Sequence, residues 1–128
     1  MTLIYRKQWL MMGWCMIALV WYLSLIPAPP DVGIKLWDKL NHFIAYAGLV
    51  GWFGQLFRQQ WHRVILAVSF ISMGIAIEIA QDMGTHRLFE YKDILANTVG
   101  VVIALVMLYL KGDGILFWLE QRFVKRHE

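Results

Sequence analysis

Asp38, His42 and Tyr46 recur at four-residue intervals, the spacing that stacks side chains on one face of a helix. At about 1.5 Å per residue the stripe is about 12 Å long. A carboxylate, an imidazole and a phenol in a row, with Lys39 beside them, can exchange protons or hold a polar headgroup. Further along the chain, Glu78, Gln81 and Asp82 share a second helical face, and Asp93 and Asn97 lie one turn apart on a third. Between these two segments stand His86, Arg87 and Glu90.

Two chemistries suit these residues. In the first, Lys39, His42 and Arg87 face an anionic headgroup, while Glu78, Gln81 and Asn97 orient them. In the second, His42 or Glu78 serves as general base and Arg87 stabilises developing phosphate charge. Asp38, His42, Glu78 and Asp93 offer oxygen and nitrogen donors of the kind several divalent ions accept. There is no H-E-x-x-H and no nucleophile-elbow G-x-S-x-G, and Ser24, Ser69 and Ser72 have no evident base. No metal site and no cofactor are therefore assigned, and whether the chain is an enzyme stays open. Plainer roles compete: Asp38 and Asp93 as helix caps, Glu78 with Arg87 as a structural ion pair, His42 as an interfacial histidine.

The elements that must position these residues are apolar. Of 128 residues 59% are hydrophobic and 16% charged, outside the balance of a soluble domain. Apolar stretches predict four spans, at about 9–26, 40–57, 64–81 and 93–110. Each is close to the roughly 20 residues a bilayer core requires. The whole chain, 1–128, reads as one all-α domain: a membrane-embedded four-helix up-and-down bundle with short connections. A possible amphipathic tail at 113–126 mixes Phe117, Trp118, Leu119 and Phe123 with Glu120, Arg122, Lys125 and Arg126, as an interfacial helix does; a solvated tail is the alternative. The first stretch follows Arg6 and Lys7 but ends in Pro27-Ala28-Pro29-Pro30 without an A-x-A site, so an uncleaved helix is expected rather than a signal peptide.

Placing both termini in the cytoplasm puts Arg6, Lys7, Arg58, Arg63, Lys111, Arg122, Lys125 and Arg126 inside. Lys35, Lys39, Arg87 and Lys92 fall outside. That asymmetry is the one insertion favours. The net charge of +3 is spread over short segments, which argues against nucleic acid as a partner. Cys15, the only cysteine, allows no disulfide within the chain. Ala96, Gly100 and Ala104, and likewise Ala47 and Gly51, are spaced for close helix approach. The sequence sets no oligomeric state.

In an up-and-down bundle the start of span two, the end of span three and the start of span four share one leaflet. All the polar residues above then converge at the outer face. A buried Glu78 would cost at least about 2.5–3.5 kcal/mol without a partner, and His42, Arg87 and Asn97 are the candidates. The N-termini of spans two and four add partial positive charge there.

At these residues the chain resembles the VanZ-like family, whose namesake is an accessory membrane protein associated with teicoplanin resistance. Asp38-Lys39-Leu40-Asn41-His42-Phe43 with Tyr46 is similar to the family's D-K-x-x-H-F opening, and Glu78-Ile79-Ala80-Gln81 to its E-x-x-Q. Arg87 followed by Asp93 to Gly100 is similar to its R and D-x-x-x-N-x-x-G. Where the family has a proline-glycine turn this chain has Gly84-Thr85-His86, and Glu90 replaces a small polar residue. The resemblance implies a four-span protein of the bacterial cytoplasmic membrane and names no reaction. The expected function is binding of an anionic envelope lipid or cell-wall precursor through Asp38, Lys39, His42, Tyr46, Glu78, Gln81, Arg87, Asp93 and Asn97. A lipid-phosphate enzyme, or a purely structural subunit of an envelope complex, is the alternative.

Overall fold

The computed structural model describes residues 2–26, 35–84, 89–112 and 114–126, with 35–37 and 111 as backbone alone. The order is α1 (Arg6–Leu25), α2 (Lys35–Leu56), α3 (Gln60–Gly84), α4 (Tyr91–Lys111) and α5 (Ile115–Lys125). Among the described residues there is no strand. α1 stops where Ile26 turns extended, at φ −69° and ψ 147°. That residue precedes Pro27, and the proline ring disfavours the helical conformation in its neighbour. α4 stops at Gly112, whose φ of +81° a side chain would resist.

Among the described residues three helices, α1, α3 and α4, are long and apolar enough to cross a membrane. The surface agrees with this. Met11, Trp14 and Leu19 on α1, Val64, Val68 and Ile79 on α3, and Leu95, Val102, Val106 and Leu110 on α4 are exposed. Meanwhile Gln55, Glu78, Gln81, Asp93, Asn97 and Glu120 are buried. Polar residues inside and an apolar exterior far beyond a soluble monomer's patches invert the usual arrangement. Lipid is the solvent that makes it favourable.

α2 is the exception among the expected spans. Its 22 residues reach about 33 Å at about 1.5 Å per residue, but Lys39, Asn41 and His42 dilute its apolar content. The reason is position. α2 touches α1, α3 and α4 and buries Tyr46, Leu49, Val50, Phe53, Gln55 and Leu56, so protein rather than lipid covers much of it. Its largest contact is with α4, and the two run parallel, start beside start. Gly100 makes this possible: a Cβ there would lie 2.5 Å from the Phe43 carbonyl oxygen and 3.3 Å from the Ala47 nitrogen. Gly51, expected to share this role, has nothing within 4 Å of such a Cβ, whereas Gly54 abuts the Leu108 side chain.

At the far end of α2 its last carbonyls are met by arginines from neighbouring segments. Arg63 donates to Gly54 O from Nη2 at 3.0 Å and from Nε at 3.2 Å. Arg6 Nη2 donates to Leu56 O at 3.3 Å. Cations here satisfy orphan carbonyls and oppose the negative end of the helix dipole. α5 docks against the same end, with Leu116 and Glu120 both buried. The Leu116 N–H donates to Gln55 Oε1 at 2.9 Å. Glu120 accepts from Ile4 N and Tyr5 N, each at 2.9 Å, and from Trp9 Nε1 at 2.6 Å. The segment read as an interfacial or solvated tail is thus seated on protein, because its Leu116 and Glu120 share a face at i, i+4.

Candidate functional site

The opposite end, where α2 and α4 begin and α3 ends, gathers the polar residues. Asp38 and Asp93 are not N-caps. α2 starts at Lys35 and α4 at Tyr91, so both carboxylates lie in first turns, where the positive helix end still favours them. Asp93 faces across to α2. Lys39 Nζ donates to Asp93 Oδ1 and to a Glu90 carboxylate oxygen.

One turn deeper, His42 Nδ1 lies 3.1 Å from Asn97 Oδ1. An amide oxygen only accepts, so Nδ1 carries the proton. The other ring nitrogen, Nε2, faces Asp93 Oδ2 at 3.8 Å. Glu78, 1% exposed, accepts the Glu90 backbone N–H at 2.8 Å. The expected partners His42 and Asn97 bond each other instead. A main-chain donor from the approach to α4 meets the carboxylate because α3 and α4 close tightly there.

Tyr46 lies beneath this layer. It is 2% exposed, and its hydroxyl has no hydrogen-bond partner among the described residues. Space for it comes from Gly74, where a Cβ would stand 2.8 Å from Asn97 Nδ2 and 3.4 Å from Tyr46 Oη. A buried hydroxyl left unsatisfied costs about 1–3 kcal/mol. Tyr46→Phe is therefore expected to leave stability unchanged or raise it by about 1 kcal/mol, read by denaturant unfolding in detergent. A loss of more than about 1 kcal/mol would show that the hydroxyl is bonded in the folded protein.

Of the sequence-predicted residues, Asp38, Lys39, His42, Tyr46, Glu78, Asp93 and Asn97 meet at this end. Gln81 turns elsewhere, its Nε2 donating to the Ser24 carbonyl of α1 at 2.7 Å, which fastens α3 to α1. Asp82 is exposed. Arg87 and His86 lie outside the described residues, and so does the expected Glu78–Arg87 pair. Sequence reasoning placed Glu90 only in the loop; its side chain reaches Lys39 while its backbone reaches Glu78. A carboxylate three residues ahead of Asp93 was the available signal. Asp38, His42 and Asp93 also present ligand-type atoms within 4.8 Å of one another.

Comparison with known proteins points to one family. An uncharacterized protein of Schizosaccharomyces pombe is 30% identical over 89 residues, 67% of this chain and 53% of its own length. The chain thus spans about half the length of that curated relative. No solved structure matches. The VanZ/LLP1 profile covers residues 3–112, taking in α1 to α4 and every residue gathered at the polar end. On that match the chain is a membrane protein of the VanZ/LLP1 family.

Proposed function

We propose that the protein crosses a bacterial inner membrane four times, with α2 as the fourth crossing and both termini cytoplasmic, and that its outer polar end binds the headgroup of an anionic envelope lipid or cell-wall precursor. The observation that carries this is the buried Tyr46 hydroxyl beneath His42, Asn97 and Glu78, which has no hydrogen-bond partner among the described residues. A structural cluster would satisfy its own polar atoms, so an unmet hydroxyl beside a polar layer is a place for a ligand atom. Support for the fourth crossing comes from the length of α2 and from its burial by the three apolar helices. Lys39 already holds two carboxylates. The phosphate charge would then fall to Arg87 or to a bound cation, with Tyr46, His42 and Asn97 contacting the uncharged part of the headgroup.

The test is native mass spectrometry of the detergent-purified protein, comparing wild type with His42→Ala and Arg87→Ala variants whose unfolding transitions are intact. A defined lipid adduct in the wild type, reduced several-fold in both variants, is expected. Equal retention in all three, or no specific adduct, would reject the reading.

A lipid-phosphate enzyme is a second reading, and the position of His42 favours it. His42 is partly accessible and oriented by Asn97, as a general base requires, whereas Glu78 is closed off and engaged by a backbone N–H. If this reading is right, turnover of the co-purified lipid would vanish in His42→Ala.

A further inference from the structure

We infer that Asp38, His42 and Asp93 form a binding site for a divalent cation of the zinc or manganese class. The argument starts with the His42 ring. With Nδ1–H donating to Asn97 Oδ1 at 3.1 Å, Nε2 is the ring nitrogen left to face Asp93 Oδ2, at 3.8 Å, and in the Nδ1–H tautomer it carries a lone pair. That gap is too long for a direct hydrogen bond. It is within the span of two metal bonds of about 2.0–2.2 Å each, one to imidazole nitrogen and one to carboxylate oxygen. A ligating histidine normally donates its second nitrogen to an oxygen that fixes the ring, the role Asn97 fills. Asp38 stands one turn before His42 on the same face of α2, and its ligand-type atom lies within 4.8 Å of the other two. Its side chain is exposed, so a rotamer change can complete the set.

The electrostatics favour a cation over an anion at this spot. Lys39 engages Asp93 through Oδ1, which leaves Oδ2 for the ion. The N-termini of α2 and α4 disfavour positive charge, each equivalent to about half an elementary charge. Asp38 and Asp93 together supply two full negative charges, and Glu90 stands close by on Lys39. Tyr46, one turn further along the same face of α2, holds a buried hydroxyl with no hydrogen-bond partner among the described residues. Three protein ligands leave at least one coordination position open. A phosphate oxygen of the headgroup proposed above would take it; that step rests on the headgroup reading, whereas ion binding by the protein alone does not.

The experiment uses the full chain in detergent, stripped with chelator and dialysed against Zn²⁺ or Co²⁺. Bound metal is quantified by mass spectrometry and the Co²⁺ form by its visible spectrum. About one ion per chain is expected. Affinity should fall at least about tenfold in His42→Ala and in Asp38→Asn, the latter at an exposed position that keeps the fold. His62→Ala, at the other end, should bind as wild type. Wild-type protein holding less than about 0.1 ion per chain, or folded Asp38→Asn and His42→Ala proteins binding as tightly as wild type, would overturn the site. A retained ion with no lipid adduct would instead overturn the headgroup reading alone.

Discussion

Gly100→Leu is expected to give a protein without a cooperative unfolding transition in detergent. A Cβ at this position would lie 2.5 Å from the Phe43 carbonyl oxygen and 3.3 Å from the Ala47 nitrogen. Both are main-chain atoms of α2 and cannot turn aside as a side chain does. The helices would have to separate, and α2·α4 is the most extensive contact in the protein. In lipid, close van der Waals packing is a main source of helix association, so separation removes much of what holds the assembly. Overpacking by one methyl group typically costs about 1–3 kcal/mol; Gly100→Ala should fall at the upper part of that range. Gly51→Ala is the control, with nothing within 4 Å of its new Cβ and a small gain expected from helix propensity. The readout is tryptophan fluorescence during SDS titration. Equal behaviour of the Gly100→Ala and Gly51→Ala proteins would contradict this account of the interface.

Glu120→Ala should be nearly as damaging, and at the other end. Glu120 is 1% exposed and accepts from the Ile4 and Tyr5 backbone N–H groups and the Trp9 indole. Hydrogen bonds to a charged group contribute about 1.5–3 kcal/mol each, and they share one desolvated carboxylate, so the sum is not additive. About 3–4 kcal/mol is expected for Glu120→Ala. Glu120→Gln should lie between it and wild type. One amide arm keeps an acceptor for two of the donors, while the other presents N–H to a third. Limited proteolysis separates this from a general loss of packing, because α5 should be cut first while α2 and α4 stay protected. Simultaneous digestion of all helices would argue that α5 has no separate seat.

The contrast between these two sites shows what the sequence could and could not convey. Gly100 was legible, since Ala96, Gly100 and Ala104 fall on one face at four-residue intervals and small residues there have one common use. The apolar runs of α1, α3 and α4 were legible for the same reason: hydropathy is a sum over many residues, and lipid imposes it on each. α2 was harder, because a helix covered by its neighbours is released from that demand. Asp38 and Asp93 read as caps, yet N-cap and first-turn positions favour the same side chain, and which one holds depends on where the helix begins. The helical faces carrying Glu78 and Gln81 could be read, but not their partners. Gln81 meets the Ser24 carbonyl and Glu78 the Glu90 N–H, main-chain groups whose positions no residue type announces. Glu120 gave no local sign at all. A glutamate among arginines and aromatics has the composition of a solvated face, and its buried role arises from donors that lie more than a hundred positions earlier.

That separation has a consequence for how the chain is made. The N–H groups of Ile4 and Tyr5 leave the ribosome 116 and 115 residues before the carboxylate that accepts from them. At about 5–20 residues per second the interval is on the order of ten seconds. Throughout it the start of α1 must rely on water or on the translocation machinery for its hydrogen bonds. A nascent protein arrested between the end of α4 at Lys111 and Glu120 would have its spanning helices synthesised and its first turn still open, a difference that quality-control proteases could read.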